Sequence, residues 1–460
     1  MPRLIVSSLS PIGTVNSDLV VGKEDNTALP TIPAIGIEIR TRGVINTQVG
    51  NDTISGTGIG GGNGFDASTG TGITNSGIIN AGLGDDTISG AGTGGSGYRS
   101  TETGTGIFNT QGGYIYGGDG NDLIKGTGTG GNGGFGTDIT IGINNTQYSR
   151  IDGGKGNDSI FGIGTAIGIS NTQHGRIDGG EGNNSIKGTG KGTYFGVNTT
   201  GILNSGGSVI NGGIGSDSIT GIGKGGDGLV DPFHPNTPAG NGVGISNSGG
   251  SIISTGQGND LISGKGTGGA GDSFSFSPDD PIITVDPGVG IGIVNSSTID
   301  LGGGNDTITG TGISKGIGIL NTNGIIYEGA GADILTGYGT SVGIQGGTID
   351  GGNDNDYFKA RRIDASGNSV SNQGGAIANV LIKGGSGNDT FDVGYGNATI
   401  DGGSGWDKVI LPNFRNNYII TGSSNNYTIR RDQFTLHVLN VEQIAFIGAA
   451  QQQSVFGVPS

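Results

Sequence analysis

The sequence predicts an all-β fold, a right-handed parallel β-helix or β-solenoid, and three regularities carry that prediction. An isoleucine stands seven residues before the acidic position of a glycine-rich turn at twelve places: Ile45, Ile79, Ile115, Ile151, Ile177, Ile210, Ile253, Ile299, Ile326, Ile349, Ile382 and Ile400. The acidic positions are Asp52, Asp86, Asp122, Asp158, Asn184 in place of an acid, Asp217, Asp260, Asp306, Asp333, Asp356, Asp389 and Asp407, and an aliphatic or aromatic residue follows two places after each. The asparagine of a G-I-x-N string lies thirteen residues before the turn position at 109 to 122, 145 to 158, 171 to 184, 204 to 217 and 247 to 260, while the return to the next asparagine varies from thirteen residues (158 to 171) to thirty-five (260 to 295). Stacked coils produce this pattern: each sends side chains into a shared core, and insertions leave along one corner.

Composition sets the limits. With 107 glycines in 460 residues and 31% hydrophobic content the chain resembles a disordered low-complexity sequence, but a disordered segment has no reason to hold isoleucines in register with its turns. The formal charge is −16, which argues against general electrostatic binding to nucleic acid or an anionic bilayer and points to a cation as counter-charge. Cysteine is absent, so neither disulfides nor thiolates are available as staples. No apolar run is long enough for a transmembrane span, and the amino-terminal MPRLIVSSLSPIGTVNSD has too short an apolar stretch for a signal-peptide core.

Taken in order, residues 1–33 lack the repeat, contain Pro11, Pro30 and Pro33, and are expected to be a leader or cap of low order. Residues 34–350 are expected to form a solenoid of about ten coils. Each coil carries three short strands: G-I-x-N, the isoleucine before the turn, and a D-x-I-x-G-x-G stretch such as Asp122 to Gly128. Strands this short hold only in a stack. The recurrent Asn75, Asn109, Asn145, Asn171, Asn204, Asn247, Asn295 and Asn321 are expected to form a ladder of amides bonding coil to coil. The sequon matches at Asn51, Asn305 and Asn388 are by-products of the turn pattern.

Five turns match G-G-x-G-x-D-x-U-x in full: GGDGNDLIK at 117, GGKGNDSIF at 153, GGIGSDSIT at 212, GGSGNDTFD at 384 and GGSGWDKVI at 402. They resemble the nonapeptide repeats of RTX (hemolysin-type) calcium-binding proteins, whose parallel β-roll binds Ca2+ between stacked turns. The chemistry agrees, since glycines open backbone angles that let carbonyls converge and aspartates supply hard anionic oxygens. The resemblance implies an RTX calcium roll over 351–410. Its metal ligands would come from Gly384, Gly385, Gly387 and Asp389 together with Gly402, Gly403, Gly405 and Asp407, the two aspartates eighteen residues apart and therefore one coil apart. Upstream, it implies calcium at Asp52, Asp86, Asp122, Asp158, Asp217, Asp260, Asp306, Asp333 and Asp356, with Asp152, Asp178, Asp300 and Asp350 adding ligands or charge. These coils depart from the family pattern: their spacing is wider, Asn184 replaces the acid, Asp354 replaces a glycine, and several turns lack the first glycine.

Residues 411–460 lose the period and alternate as strands. They resemble the terminal segment that follows RTX repeats, through Leu436, Asn440, Val441, Glu442, Ile444 and Phe446, and are expected to cap the roll. The resemblance implies an uncleaved type I secretion signal here and an extracellular or cell-surface location.

No H-E-x-x-H is present, and no G-x-S-x-G elbow lies between a strand and a helix. The function read from the sequence is a secreted calcium-binding β-solenoid, a structural, cell-surface or adhesive exoprotein rather than an enzyme. Its partners would be calcium ions, with polysaccharide or self-association as targets. The alternative is a calcium-dependent polysaccharide lyase or epimerase using the inserted loops 229–242 and 272–288, where Asp231, His234, Asp279, Asp280 and Asp286 would cluster.

Overall fold

The computed structural model describes residues 3–447 and the strand Val455–Phe456, apart from short gaps at 10–11, 30–31, 63–65, 98–102, 132–138, 194, 232–235, 276–280 and 371–373. Within it the three predicted strand signals form three columns of parallel strands, as the sequence predicts for a β-solenoid. In the first column Ile73, Ile107, Ile143, Ile169, Ile202 and Ile245 lie opposite one another. The second column aligns Ile45, Ile79, Ile115, Ile151, Ile177, Ile210, Ile253 and on to Ile400. The third aligns Ile54, Ile88, Ile124, Ile160, Ile186 and Ile219, takes the larger Phe358 and Phe391 further along, and continues to Val409 and Ile444.

All twelve isoleucines before the turn are fully buried. Together the columns form one continuous core running the length of the stack. At about 4.8 Å per strand, one methyl-rich side chain per column per coil is what the interior holds. The predicted amide ladder is also present. Asn75 Nδ2 donates to Asn109 Oδ1 at 2.8 Å, and the relay continues through Asn145, Asn171, Asn204, Asn247 and Asn295 to Asn321. Each rung gives a buried amide a partner it would otherwise lack.

The first residues form a coil of their own, where the sequence predicts low order. Leu4–Val6 pairs with Ala34–Ile39, Ile12–Thr14 with Val44–Gln48, and Leu19–Asp25 with Thr53–Ile59. The register shifts between Ile12 and Thr14, because Ile12 stands six residues, not seven, before Asp18.

At the other end the first and second strands fuse. Ile377–Ser386 pairs with both Val342–Gln345 and Thr348–Asn353, so the next coil needs only the eighteen residues from Asp389 to Asp407. This short coil extends the same columns. Beyond it Ile419–Ser423, Asn426–Arg431 and Phe434–Leu439 form an antiparallel meander whose last strand lies parallel to Asn397–Ser404. The meander closes the sheet's exposed edge.

Candidate metal-binding aspartate ladder

The turn glycines are required where the backbone turns left-handed. Gly118 has φ 129° and Gly120 φ 146°, and the same pair recurs in coil after coil. Asp354 takes the fourth turn position at φ 76°, a conformation that aspartate tolerates better than most residues.

Those turns aim the acids inward, not outward. Asp52, Asp86, Asp122, Asp158, Asp217, Asp260, Asp306, Asp333, Asp356, Asp389 and Asp407 are all buried, none more than 3% exposed. Each uses one oxygen the same way: the Oδ1 of one coil accepts the backbone N–H of the acid in the coil before. Asp86 donates its N–H to Asp122 Oδ1 at 2.8 Å, Asp122 to Asp158 Oδ1 at 2.7 Å, and Asp389 to Asp407 Oδ1 at 2.8 Å. The ladder runs from Asp18, whose N–H reaches Asp52, to Glu442, whose Oε2 accepts the N–H of Asp407 at 2.7 Å. A second ladder runs in the opposite sense one residue earlier. Asn51 Oδ1 accepts from Asp85, Asn305 Oδ1 from Ala332, and Asn388 Oδ1 from Trp406. This is the structural use of the sequon asparagines.

The other oxygen is the unusual one. Oδ2 of all eleven aspartates is buried and has no hydrogen-bond partner. What it faces follows from the first glycine of the turn. A methyl added to Gly117 would collide with Asp122 Oδ2 and with the carbonyl of Gly153 in the next coil. At Gly384 it would meet Asp389 Oδ2 and Gly402 O, and at Gly402 it would meet Asp407 Oδ2 and Asn440 O. Two acceptor oxygens thus converge on a gap that exists only because the residue lacks a Cβ. Burying acceptors without a donor is costly, so the gap calls for a positive charge or a proton.

Three substitutions within the repeat show the same demand met by other means. At Asn184 the amide replaces Oδ2 and its Nδ2 donates to Gly182 O at 3.1 Å and to Gly212 O, in the next coil, at 3.4 Å. Thr47 and Thr255 stand where other turns have the first glycine. Their hydroxyls donate to Ala81 O at 2.6 Å and to Leu301 O at 2.7 Å, again one coil on.

Burial, the largest cause, pushes the carboxyls of Asp122, Asp217 and Asp333 up to about 7, that of Asp356 up to about 8, and those of Asp86, Asp158, Asp306 and Asp407 up to about 6. Asp260 and Asp389 are raised for the same reason. The N–H held by Oδ1 opposes the rise in every case. Uncompensated, the column does not hold its full negative charge at neutral pH.

The predicted metal residues therefore divide. Asp122, Asp158, Asp217, Asp356, Asp389 and Asp407 have glycine at the first turn position and an open gap, and the two turns of the eighteen-residue step lie in adjacent coils as expected. Asp52, Asp86, Asp260, Asp306 and Asp333 are preceded by Thr47, Ala81, Thr255, Leu301 and Glu328, all buried, whose side chains take up the gap. Glu328 is the extreme case. It is completely buried, neither oxygen has a partner, and burial, reinforced by repulsion from the charges of Asp356, Asp333 and Asp306, pushes its carboxyl well above the usual range. Among the described residues no three His, Asp or Glu side chains converge, so an ion in a gap would rely on backbone carbonyls for much of its shell.

The outer aspartates behave differently. Asp152 and Asp178 are held by Arg150 and Arg176, and Asp350 lies 3.5 Å from Lys383, so they are committed to ion pairs on the sheet surface.

In the inserted loops, Asp272–Phe274 and Ile283–Val285 form a hairpin, and a methyl on Gly228 of the neighbouring insertion would touch Val285. The two insertions are neighbours, as expected. Asp286 pairs with Lys315 at 3.2 Å, a base contributed by another coil. His234, Asp279 and Asp280 lie outside the described residues. No known protein-family model matches the chain, and no curated protein is significantly similar to it.

Proposed function

We propose that the protein is a calcium-stabilised β-solenoid that serves as a structural or adhesive exoprotein at or beyond the cell surface. The observation that carries this reading is the column of buried, partnerless Oδ2 atoms, six of which, those of Asp122, Asp158, Asp217, Asp356, Asp389 and Asp407, face a carbonyl of the next coil across a gap opened by glycine. Calcium takes hard oxygen ligands in flexible number, and carboxylate with carbonyl is its ordinary donor set. The residues that would hold it are Asp122, Asp158, Asp217, Asp356, Asp389 and Asp407 with the carbonyls of the following coil. Bound there, the ion would supply the charge that joins one turn to the next, and folding and binding would be coupled. Secretion is proposed on the resemblance of the carboxyl-terminal segment. In this segment Leu436, Val441, Ile444 and Phe446 are buried against the last coil, and Glu442 ends the acid ladder with both oxygens bonded, one to Asn425 Nδ2 at 2.7 Å.

A second reading is favoured by Asn184. Its amide shows that a hydrogen-bond donor closes the gap, so a protonated aspartate donating from Oδ2 would do the same without metal.

Calorimetric titration of calcium separates the two. Asp389→Ala with Asp407→Ala is expected to remove at least one binding event and lower overall affinity about tenfold or more, the scale of losing a well-placed ligand. Asn184→Ala is expected to leave the calcium isotherm unchanged while lowering the melting temperature. An unaltered isotherm in the double variant contradicts calcium at this step.

A further inference from the structure

One stretch of the solenoid surface is built unlike the rest. It lies on the second strand column, across Tyr114–Asp119, Arg150–Lys155, Arg176–Glu181 and Val209–Ile214, where a groove of about 360 Å3 is open to solvent. Arg150, Asp152, Asp178 and Asn211 line it, and their pairing partners Arg176 and Tyr114 stand on the same strands. Arg150 Nη2 donates to Asp152 Oδ2 at 2.5 Å, and Arg176 donates to Asp178 Oδ2 through Nε at 3.0 Å and Nη2 at 2.6 Å. Asn211 Nδ2 donates to Asp178 Oδ1 at 2.9 Å, and Tyr114 gives its hydroxyl to Asp152 Oδ2 at 3.2 Å while its ring lies beneath the Arg150 guanidinium, 5.6 Å away. The register that holds Arg150 and Arg176 holds Ile78, Val209 and Ile252 in other coils.

Two residues before each arginine stands an aromatic ring that the fold does not need. Tyr148 and His174 stack at 4.8 Å with their planes 14° apart, and Tyr148 is 74% exposed. Their backbones are left-handed, with φ 61° and 63°, where the equivalent residues of neighbouring coils are Gly112, Gly207 and Gly250 at 73–75°. Two bulky side chains are thus kept in a conformation that glycine takes freely. Stacking in open solvent buries little apolar surface, so packing does not explain them.

We propose that this face binds a neutral polysaccharide, with the outer face of the Tyr148 ring, backed by His174, receiving the apolar face of a sugar and the arginine, aspartate and asparagine row receiving its hydroxyls. An aromatic platform beside fixed donors and acceptors suits a ligand with one apolar face and a rim of hydroxyls. The polar row is already held by its own ion pairs, so little ordering is left to binding. Three coils span roughly 15 Å, room for a short run of sugars. Charge decides against a polyuronate: Arg150, Arg176 and Lys155 are balanced by Asp119, Asp152, Asp178 and Glu181, and the chain carries −16 overall, which repels a polyanion.

This site is separate from the acid ladder, so its test is run on calcium-loaded protein whose fold is checked by circular dichroism. Native affinity electrophoresis through laminarin, galactomannan, dextran and, as the acidic arm, alginate is expected to show retardation by at least one neutral polymer. Tyr148→Gly with His174→Gly, which installs the residue used by neighbouring coils, is expected to keep the melting temperature or raise it and to weaken binding tenfold or more. Arg150→Ala is expected to weaken binding similarly and serves as an independent probe. Retardation by no neutral polymer, retardation by alginate alone, or undiminished binding in both folded variants overturns the proposal.

Discussion

Removing calcium is expected to destabilise the protein steeply at about pH 8 and only weakly at about pH 5. The sign follows from the buried aspartates. Their folded-state values, about 6 to 8 where burial acts most strongly, lie above the unfolded value near 3.9, so the folded state holds more protons than the unfolded one. Without metal, stability is greatest below about pH 4 and is lost as pH rises through the folded values, because each carboxyl must either ionise in a buried column or resist doing so. Calcium replaces the proton and reverses this cost. A site filled at about a thousandfold excess over its Kd contributes about 4 kcal/mol, and several sites in one stack add to a large effect. Thermal melts in EDTA and in millimolar calcium across this pH range give the readout. A decline with pH in EDTA that calcium does not relieve would favour protons as the filling of the gaps.

Replacing Ile151 with aspartate is expected to abolish cooperative folding. Ile151 is fully buried between Ile115 and Ile177. The change removes roughly 1.5–3 kcal/mol of apolar burial and adds a carboxylate with no partner, a further penalty of several kcal/mol. Because every coil supports its neighbours, the loss spreads along the stack. Lys155→Ala, on the surface four residues along the same strand and lightly paired with Asp119, is expected to change the melt little. A soluble Ile151→Asp variant with an unaltered melt would contradict the inward column.

The parts of the fold that were legible in the sequence are those where one side chain recurs at a fixed distance from a turn. The isoleucine before the acid and the G-I-x-N asparagine are such positions, since a stacked coil leaves them one neighbour and one size. The first coil escaped because its signal is shifted: Ile12 is six residues from Asp18 and the turn lacks the glycine pair, although Asp18 and Val20 keep the rest of the pattern. In the candidate site, the acids themselves were visible but their orientation was not. A G-G-x-G-x-D string gives no hint that Oδ1 is committed to the preceding coil's amide and that only Oδ2 remains. The weight of the first turn position was likewise hidden. Thr47, Ala81, Thr255, Leu301 and Glu328 read as tolerated losses of glycine, yet each places a side chain where the gap would be. Glu442 read as part of a terminal motif, and its place at the end of the ladder follows only from the meander folding back on the last coil. The Tyr148 and His174 pair went unseen because they lie twenty-six residues apart and meet only when coils stack.

Trp406, the chain's one tryptophan, adjoins Asp407 and is 52% exposed, so it reports on the turn where calcium is proposed to sit. Terbium, a luminescent substitute for calcium, added to the protein and excited through the indole is expected to emit, to be displaced by calcium, and to lose that emission in Asp389→Asn with Asp407→Asn. Absence of indole-sensitised emission, or emission indifferent both to calcium and to those substitutions, would contradict a metal-bound aspartate ladder.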